Sequence, residues 1–291
     1  MALSRSEQQM LDLILGVARA DERIRAVILD GSRADPDAPC DPLQDYDIIY
    51  AVTDVEAFRN DLAWIERFGE LMILQLPNEM QSPPPAELNY PVYLVQFQDG
   101  NRIDLTILPL SLAGLERNSI RRVLLDKDVH IDQRAISDEH AYLPHPPSAK
   151  QFADCCNEFW WVSPYVARGL WRGQIVYAHE MLGGYVRTQL NLMLKWYIAE
   201  ITGGKANPGK LGKYYQRYLD PATWQLLQST YADAAEEHIW QALFAAGDVF
   251  RQTAQHVAGQ HGYPYPAEDD RRVTAFLHHL HTLDRNAASI H

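Results

Sequence analysis

Cysteine is scarce in this sequence: the chain of 291 residues has three cysteines, Cys40, Cys155 and Cys156. Three are too few for a disulfide framework, and the adjacent pair lacks the spacing of a zinc site. Residues 1–10 are polar and lack the apolar core of a secretion signal. We therefore expect reduced thiols in a cytoplasmic protein.

Long apolar runs and an excess of positive charge are also absent. No run approaches the ~20 apolar residues that a membrane-spanning helix needs. The chain has 38 acidic residues against 26 Lys and Arg, a formal charge of −12. A general binder of nucleic acid or anionic membranes needs a basic surface, so we predict neither partner. A small cationic molecule is the more natural ligand.

The sequence does contain a large apolar fraction and an uneven distribution of charge. Hydrophobic residues make up 47% of the chain, which is enough for one large or two ordinary domains. Residues 1–150 hold 25 acidic and 14 basic side chains, whereas residues 151–291 hold 13 and 12. Six of the seven tryptophans lie in the second part. The chain thus has an acidic first half and a nearly neutral, aromatic second half.

The first half shows both helix and strand patterns. A capping box at Ser4 and Glu7 predicts a helix that ends near Asp21, and Asp54 predicts the start of a second helix. Short β-type runs predict strands over residues 25–30, 45–52, 71–76, 93–98 and 102–108. A hairpin turn joins the last two runs. We expect an α+β fold with a mixed or mostly antiparallel sheet.

The second half is predicted to be helical. Prolines crowd residues 144–147, which predicts a boundary between a domain of residues 1–146 and one of residues 147–291. Beyond it, helical patterns cover residues 151–161, 172–201, 236–261 and 267–286. We expect these helices to form a bundle.

Three carboxylates on predicted strands form the strongest candidate for a chemical site. Asp45 and Asp47 project from one face of a strand, about 7 Å apart by strand rise. Such like charges repel each other, and a hard cation such as Mg²⁺ removes that repulsion. Asp104, on a later strand, would let two metal ions be held about 3.5–4 Å apart for an in-line phosphoryl displacement. An Asp-X-Asp pattern alone is common on solvated faces and turns, so the specificity lies in the combination.

The turn after the first predicted strand adds a phosphate-binding element, since Gly31 and Ser32 offer backbone N–H groups and a hydroxyl. This turn, followed by Asp45, Asp47 and Asp104, is similar to the nucleotidyltransferase superfamily that includes polymerase beta. Six longer segments resemble the aminoglycoside 6-adenylyltransferase (streptomycin adenylyltransferase) family: residues 25–33 (RAVILDGSR), 44–48 (QDYDI), 97–106 (FQDGNRIDLT), 159–162 (FWWV), 169–172 (GLWR) and 194–198 (LKWYI). The likeness covers both halves.

The resemblance implies a polymerase-beta-like nucleotidyltransferase domain followed by a helical domain that binds the acceptor. It implies transfer of AMP from Mg-ATP to a hydroxyl of streptomycin, which releases pyrophosphate and inactivates the antibiotic. ATP is then the co-substrate, and Mg²⁺, expected as two ions, is the cofactor. By position, Gly31 and Ser32 would bind phosphates, and Asp45, Asp47 and Asp104 would be the catalytic metal ligands.

One position departs from the family pattern: Asp30 stands where the family has asparagine. A carboxylate that faces the site would repel a triphosphate, whereas one held in a hydrogen-bonded turn would have no such effect. The proton acceptor is a second open question. Asp104 is the first candidate for accepting the proton of the attacking hydroxyl, and Glu79, Glu87 or a carboxylate of the helical half are alternatives.

Positive charge is needed near the leaving pyrophosphate. Arg33 follows the Gly-Ser turn directly, and residues 209–213 place Lys210 and Lys213 between glycines in a loop that also resembles the family. We predict that these three side chains contact the triphosphate. The alternative for the two lysines is an ordinary solvated loop.

A cationic antibiotic with guanidino groups calls for carboxylates and aromatic faces. Such side chains lie on the first helical segments of the second half: Asp154, Glu158, Trp160, Trp161, Trp171, Tyr177 and Glu180. From these we predict that Glu158, Trp161, Trp171 and Glu180 bind the acceptor. The alternative for each aromatic residue is packing in the core.

Two other functions stay open at this point. One is the same AMP-transfer chemistry on a different metabolite or on a protein, and the match of the helical half to the family argues against it. The other is a non-catalytic nucleotide-binding relative, and the intact set of three aspartates argues against that. The oligomeric state is not predicted.

Overall fold

The computed structural model describes residues 4–59, 61–82, 90–114, 119–129, 131–136, 138, 140 and 143–290. The chain divides into two compact units, Met1–Ala141 and Tyr142–His291. In chain order, the first unit contains α1 (Glu7–Ala20), β1 (Ile24–Asp30), β2 (Tyr46–Val52), α2 (Glu56–Arg59), β3 (Leu71–Gln75), β4 (Val92–Phe97), β5 (Arg102–Pro109), β6 (Arg121–Asp126) and α3 (Gln133–Ile136).

The six strands form one mixed sheet in the order β3-β4-β5-β2-β1-β6. Strands β2 and β5 are parallel, and the other neighbouring pairs are antiparallel. The predicted α+β class and the hairpin of β4 and β5 are confirmed. Strand β6 has no counterpart among the predicted strands, because its three apolar residues lie between charged ones and show no alternation.

Helix α1 covers one face of the sheet, and the acidic residues project from the other. Met10, Ile14 and Ala18 recur at helical spacing and are buried in a core with alternate strand residues. Tyr50 of that core donates a hydrogen bond to the Ile14 carbonyl oxygen at 2.6 Å. Side chains alternate along a strand, so the residues next to these core residues point to the opposite face. Tyr46 and Ile48 of β2 are buried in the core, and Asp47, which lies between them in the sequence, points away from it.

Two details of the predicted helices are wrong. The capping box of α1 is formed by Ser6 and Gln9, whose side chains each bond to the other residue's backbone N–H. Ser4 and Ser6 both precede a Glu or Gln by three residues, so the pattern alone does not distinguish them. After Asp54, which caps α2 by accepting from Ala57, the chain makes one short helix and then a 3₁₀ segment, Leu62–Phe68, instead of one long helix.

The second unit is helical, as predicted. It contains α4 (Ala149–Trp171), α5 (Ile175–Met181), a π-helical segment (Leu182–Val186), α6 (Arg187–Thr202), α7 (Tyr215–Tyr218), α8 (Pro221–Gln228), α9 (Glu236–His261) and α10 (Ala267–Thr282). Its core includes Phe159 of α4 stacked on Phe250 of α9, with ring centroids 3.8 Å apart. None of the helices described in either unit has the length and apolarity needed to cross a membrane.

The helix boundaries of this unit differ from the prediction. Helix α4 continues to Trp171, where Gly173 adopts a left-handed φ of +71° and ends it. The predicted helix over residues 172–201 begins instead at Ile175 and continues without a break through α5, the π-helical segment and α6 to Thr202. The last helix ends at Thr282 rather than near residue 286.

Candidate active site

Strand register sets charged side chains in one row across the sheet. Asp47 of β2 lies directly opposite Asp104 on the parallel strand β5 and opposite Asp30 on the antiparallel strand β1. Asp30 in turn lies opposite Arg121 of β6. Because neighbouring strands are only about 4.8 Å apart, paired residues on one face meet. Register thus brings together carboxylates that are far apart in the sequence.

Asp45 completes a group of three carboxylates, since it lies two residues before Asp47 on the same face. One oxygen from each of Asp45, Asp47 and Asp104 lies within 4.8 Å of the other two, and all three residues are half-buried. Within the described residues this is the one group of His, Cys, Asp or Glu with such spacing. Three carboxylate oxygens at this spacing suit a hard divalent cation such as Mg²⁺.

Asp47 shows how strongly the group needs positive charge. Burial, together with the neighbouring carboxylates Asp45 and Asp104, raises the pKa of Asp47 to about 7. No hydrogen-bond donor in the described part of the chain contacts its carboxylate. A bound divalent cation would supply the missing charge, so the residues fit the metal that the sequence predicts.

Gly31 brings the backbone close to Asp47. Its φ of +70° is in the left-handed region, and a Cβ built on it would overlap Asp47 Oδ2 and lie 3.1 Å from Asp47 Cγ. Only glycine allows this approach without strain. Ser32 follows, with its Oγ 3.4 Å from the Gln44 side-chain nitrogen. The turn predicted to bind phosphate therefore lies beside the carboxylate row.

Asp30 is held in a hydrogen-bonded turn. Its Oδ1 accepts from the Gly31 backbone N–H at 2.7 Å, and its Oδ2 accepts from Arg121 Nε at 3.0 Å. The Arg121 side chain is buried, so it provides an internal positive charge for Asp30. Of the two alternatives for this departure from the family, the structure shows the hydrogen-bonded turn. Sequence reasoning missed Arg121, because only the pairing of β1 with β6 brings it to Asp30.

Arg33, a predicted phosphate ligand, binds strand β2 in the structure. Its guanidinium lies 3.9 Å from the centroid of the Tyr46 ring and donates to the carbonyl oxygens of Gln44 and Asp45 at 2.8 and 3.0 Å. The side chain is only 7% exposed. These contacts hold the backbone at the start of β2, at the residue that carries the Asp45 carboxylate. Contact between Arg33 and a nucleotide stays a prediction.

Arg102 is a second site residue to which the sequence analysis assigned no role. It lies two residues before Asp104 on β5, and the two side chains share a face. Its Nε and Nη2 donate to the two carboxylate oxygens of Asp104 at 2.7 and 2.6 Å, and Nε lies 3.8 Å from Asp45 Oδ2. The available signal was the spacing: a basic residue two positions from a metal-ligand candidate on a strand reaches the same site.

Comparison with known proteins identifies the family. A sequence model described as streptomycin adenylyltransferase matches residues 4–280. The chain belongs to the streptomycin adenylyltransferase family. The predicted family is confirmed, and the predicted enzyme class, an adenylyltransferase, is confirmed with it.

Individual relatives match over nearly their full length. An aminoglycoside 6-adenylyltransferase of Bacillus subtilis (strain 168) is 40% identical over 91% of this chain and 95% of its own. One of Campylobacter jejuni is 37% identical over 92% of this chain and 93% of its own. A crystal structure of an aminoglycoside 6-adenyltransferase from Bacillus subtilis is 38% identical, covers 96% of this chain and 100% of its own, and has a TM-score of 0.48.

The two lysines predicted to bind triphosphate in this streptomycin adenylyltransferase family member lie in a strained loop of the second unit. Gly209 and Gly212 have φ values of +72° and +79°, and Leu211 between them has +56°. Lys210 and Lys213 are exposed, and Lys213 Nζ lies 4.9 Å from the centroid of the Tyr214 ring. The loop geometry presents both ammonium groups to solvent. Their contact with phosphate stays a prediction.

The four predicted acceptor ligands differ in their surroundings. Glu158 and Glu180 are exposed on α4 and α5, and Trp161 is 64% exposed. Trp161 lines a cavity of about 980 Å³ between α4 and α10 that also contains Asp154, Tyr165 and Arg168. Trp171 is partly buried, and its Nε1 donates to the Leu283 carbonyl oxygen at 3.2 Å. Of the four, Trp171 is partly buried, and the other three are exposed.

Two alternative proton acceptors of the first unit, Glu79 and Glu87, are not placed at the carboxylate group by the described residues. Glu79 is exposed and ends a 3₁₀ turn, Pro77–Glu79. Glu87 lies outside the described residues. Asp104 belongs to the carboxylate group, and its role as proton acceptor stays a prediction.

Proposed function

We propose that this streptomycin adenylyltransferase family member transfers AMP from Mg-ATP to a hydroxyl of streptomycin, in the cytoplasm, and releases pyrophosphate. The observation that carries the proposal is the convergence of Asp45, Asp47 and Asp104 beside the Gly31 turn. A metal-ligand group next to a backbone anion site is what a nucleoside triphosphate requires. The relatives are aminoglycoside 6-adenylyltransferases, which supports an aminoglycoside as the acceptor.

Asp45, Asp47 and Asp104 would hold the metal. When bound, Mg²⁺ neutralises charge on the phosphates and carboxylates and makes the α-phosphorus a better electrophile. The chain's own contribution is to fix the three ligands before substrate arrives. Arg33 anchors the backbone at Asp45, and strand pairing aligns Asp47 with Asp104. Such preorganisation lowers the cost of assembling the site during each turnover.

The Gly31 N–H already donates to Asp30, so the Ser32 hydroxyl and the other backbone N–H groups of the turn bind phosphate oxygens. No side chain at residue 31 separates the phosphate chain from Asp47, because residue 31 is glycine. Lys210 and Lys213 bind the pyrophosphate end, where negative charge develops as it leaves. These contacts set the α-phosphorus in line between the acceptor hydroxyl and the leaving oxygen.

The chemical step exchanges one phosphorus–oxygen bond for another. The acceptor hydroxyl oxygen forms a bond to the α-phosphorus, the bond from the α-phosphorus to the bridging oxygen breaks, and pyrophosphate leaves with that electron pair. The hydroxyl proton passes to an Asp104 carboxylate oxygen. An ionised aspartate suffices as base when the attacking oxygen is already polarised.

The acceptor is recognised through charge. Streptomycin is a guanidino cation, and the chain has a formal charge of −12. Glu158 and Glu180 would pair with its guanidino groups, and Trp161 and Trp171 would provide aromatic faces. Two arguments favour streptomycin over other aminoglycosides. The family model that matches the chain is that of streptomycin adenylyltransferase, and these four side chains suit guanidino groups.

The deciding experiment incubates the protein with ATP, Mg²⁺ and a panel of aminoglycosides, and follows pyrophosphate release and product mass. We expect an AMP adduct on streptomycin and loss of turnover on addition of EDTA. Asp45→Asn should abolish turnover with an unchanged circular dichroism spectrum, while Asp37→Asn, a change of an exposed acid in the neighbouring loop, should not. An absence of adduct on streptomycin would contradict the proposal.

A further inference from the structure

Arg102 is a basic residue of the first unit that contacts two of the three grouped carboxylates. It forms a two-pronged hydrogen bond with Asp104, and its Nε is also 3.8 Å from Asp45. Among the ion pairs of the described residues, it is the basic side chain that contacts the carboxylate triad, defined as Asp45, Asp47 and Asp104. In the structure, Arg102 therefore supplies the triad's positive charge.

This contact uses the same atoms that would hold a metal. Both oxygens of Asp104 accept from the guanidinium, and Asp45 is its second neighbour. A guanidinium and a divalent cation on one carboxylate pair repel each other by Coulomb's law, and the repulsion grows in a half-buried site. Occupancy by one cation therefore weakens binding of the other, which is a competition between linked sites.

Arg102 is also much more exposed than Arg33 and Arg121. Its side chain is 41% exposed, whereas the other two are nearly buried. It is the first residue of strand β5, so a change of its side-chain rotamer would not require the strand to move. The guanidinium's planar fork matches a phosphate as well as a carboxylate.

We propose that Arg102 is an exchangeable counter-ion: it pairs with Asp104 and Asp45 before metal binds, and it turns to a phosphate oxygen of ATP afterwards. The inference rests on the proposed function, since it needs the triad to bind a divalent cation. Arg102 thus protects the empty triad from its own repulsion and becomes a nucleotide ligand in the loaded enzyme. Metal binding and phosphate capture are coupled through one side chain.

The test compares wild type, Arg102→Gln, Arg102→Lys and the control Arg23→Gln. Arg23 is a matched control because it forms the same kind of fork with Asp21, also two residues away and similarly exposed, and it has no contact with the triad. Mn²⁺ binding without nucleotide is measured by electron paramagnetic resonance of the free ion. Binding of a non-hydrolysable α,β-methylene ATP analogue is then measured calorimetrically at saturating Mg²⁺.

We expect opposite changes in the two affinities. Arg102→Gln should bind Mn²⁺ about tenfold more tightly than wild type, because the competing cation is gone, and should bind the analogue about tenfold more weakly. Arg102→Lys keeps the charge but loses the fork, so its Mn²⁺ affinity should stay near wild type while its analogue affinity falls. Arg23→Gln should change neither affinity.

Other outcomes overturn the proposal. If Arg102→Gln weakens Mn²⁺ binding, Arg102 supports Asp104 as a metal ligand instead of competing with the metal. Unchanged affinities in Arg102→Gln with normal wild-type Mn²⁺ binding would leave Arg102 a surface ion pair. A wild type that binds no Mn²⁺, even with the analogue present, would overturn the metal site of the proposed function itself, which separates the two failures.

Discussion

Gly31 and the Asp47 carboxylate approach so closely that any side chain at position 31 would have to displace Asp47. A Cβ there would overlap Asp47 Oδ2. The left-handed φ of +70° adds a second reason for glycine. One residue thus satisfies the turn geometry and the access of the backbone to the carboxylate triad.

Gly31→Ala should therefore lose activity out of proportion to stability. We expect a stability loss of about 1 kcal/mol from the left-handed backbone and a fall in kcat/KM of about 10²-fold, because the new methyl group displaces Asp47. Thermal unfolding and steady-state kinetics measure the two effects. Gly100→Ala is the control: its φ is +88°, and nothing lies within 4 Å of the added Cβ. A similar activity loss in both variants would show that the clash with Asp47 is irrelevant.

The raised pKa of Asp47 gives a pH dependence of stability with a definite sign. The folded metal-free protein holds this proton up to a pH of about 7, whereas the unfolded chain releases it near pH 4. Stability contributed at this site therefore falls as pH rises through that window. Asp47→Asn should raise the free energy of unfolding of the metal-free protein at pH 8 by at least about 1 kcal/mol, with the gain vanishing below pH 4.

Asp99, in the same unit, should give a pH dependence of stability with the opposite sign to that of Asp47. Burial alone would raise its pKa, but hydrogen bonds from Arg5 and Asn101 hold the pKa of Asp99 well below its usual range. Its stabilisation is present above pH 4 and is lost as pH falls through the folded-state pKa. Asp99→Asn should thus destabilise the protein at pH 8. Parallel denaturant titrations that gave both variants the same sign would contradict the assignment.

Asp30→Asn tests whether the extra carboxylate acts on the fold or on the nucleotide. Asparagine can still accept from the Gly31 N–H, but it leaves buried Arg121 without the Asp30 charge. We expect a loss of about 1–3 kcal/mol in the free energy of unfolding and a KM for ATP within about twofold of wild type. Glu268→Gln, which breaks an exposed pair with Arg271, should leave stability nearly unchanged. A large improvement in KM for ATP would mean that Asp30 repels the triphosphate.

Lys213→Met tests the strained lysine loop. A lost charge-assisted contact with phosphate should raise the KM for ATP about 10- to 100-fold with little change in the melting temperature. Lys205→Met removes an exposed lysine near the same loop and should leave the KM for ATP unchanged. If both substitutions raised the KM for ATP equally, the lysines would act only through long-range electrostatic attraction. That shared effect on the KM would disappear at high ionic strength.

Much of the fold is legible in local patterns. Apolar spacing predicted α1, alternation predicted the strands that carry the aspartates, and glycines mark the ends of α6 and α9. Errors occurred where local signals compete. Two serines offered a capping box, and Gly173 ends α4 at the point where the sequence pattern predicts that the next helix has already begun. Local sequence patterns do not contain the packing energy that selects between such alternatives.

Local patterns predict some features of the candidate site, and others depend on how the strands pair. Local sequence pattern was enough to predict that Asp45 and Asp47 share a face, since strand periodicity is a property of the backbone. It also carried the family resemblance. Strand pairing in the folded sheet was needed to show that Asp104 lies opposite Asp47, that Arg121 pairs with Asp30 and that Arg102 contacts the triad. Pairing register is set by the whole sheet, because a slip of one residue would turn each of these side chains to the other face.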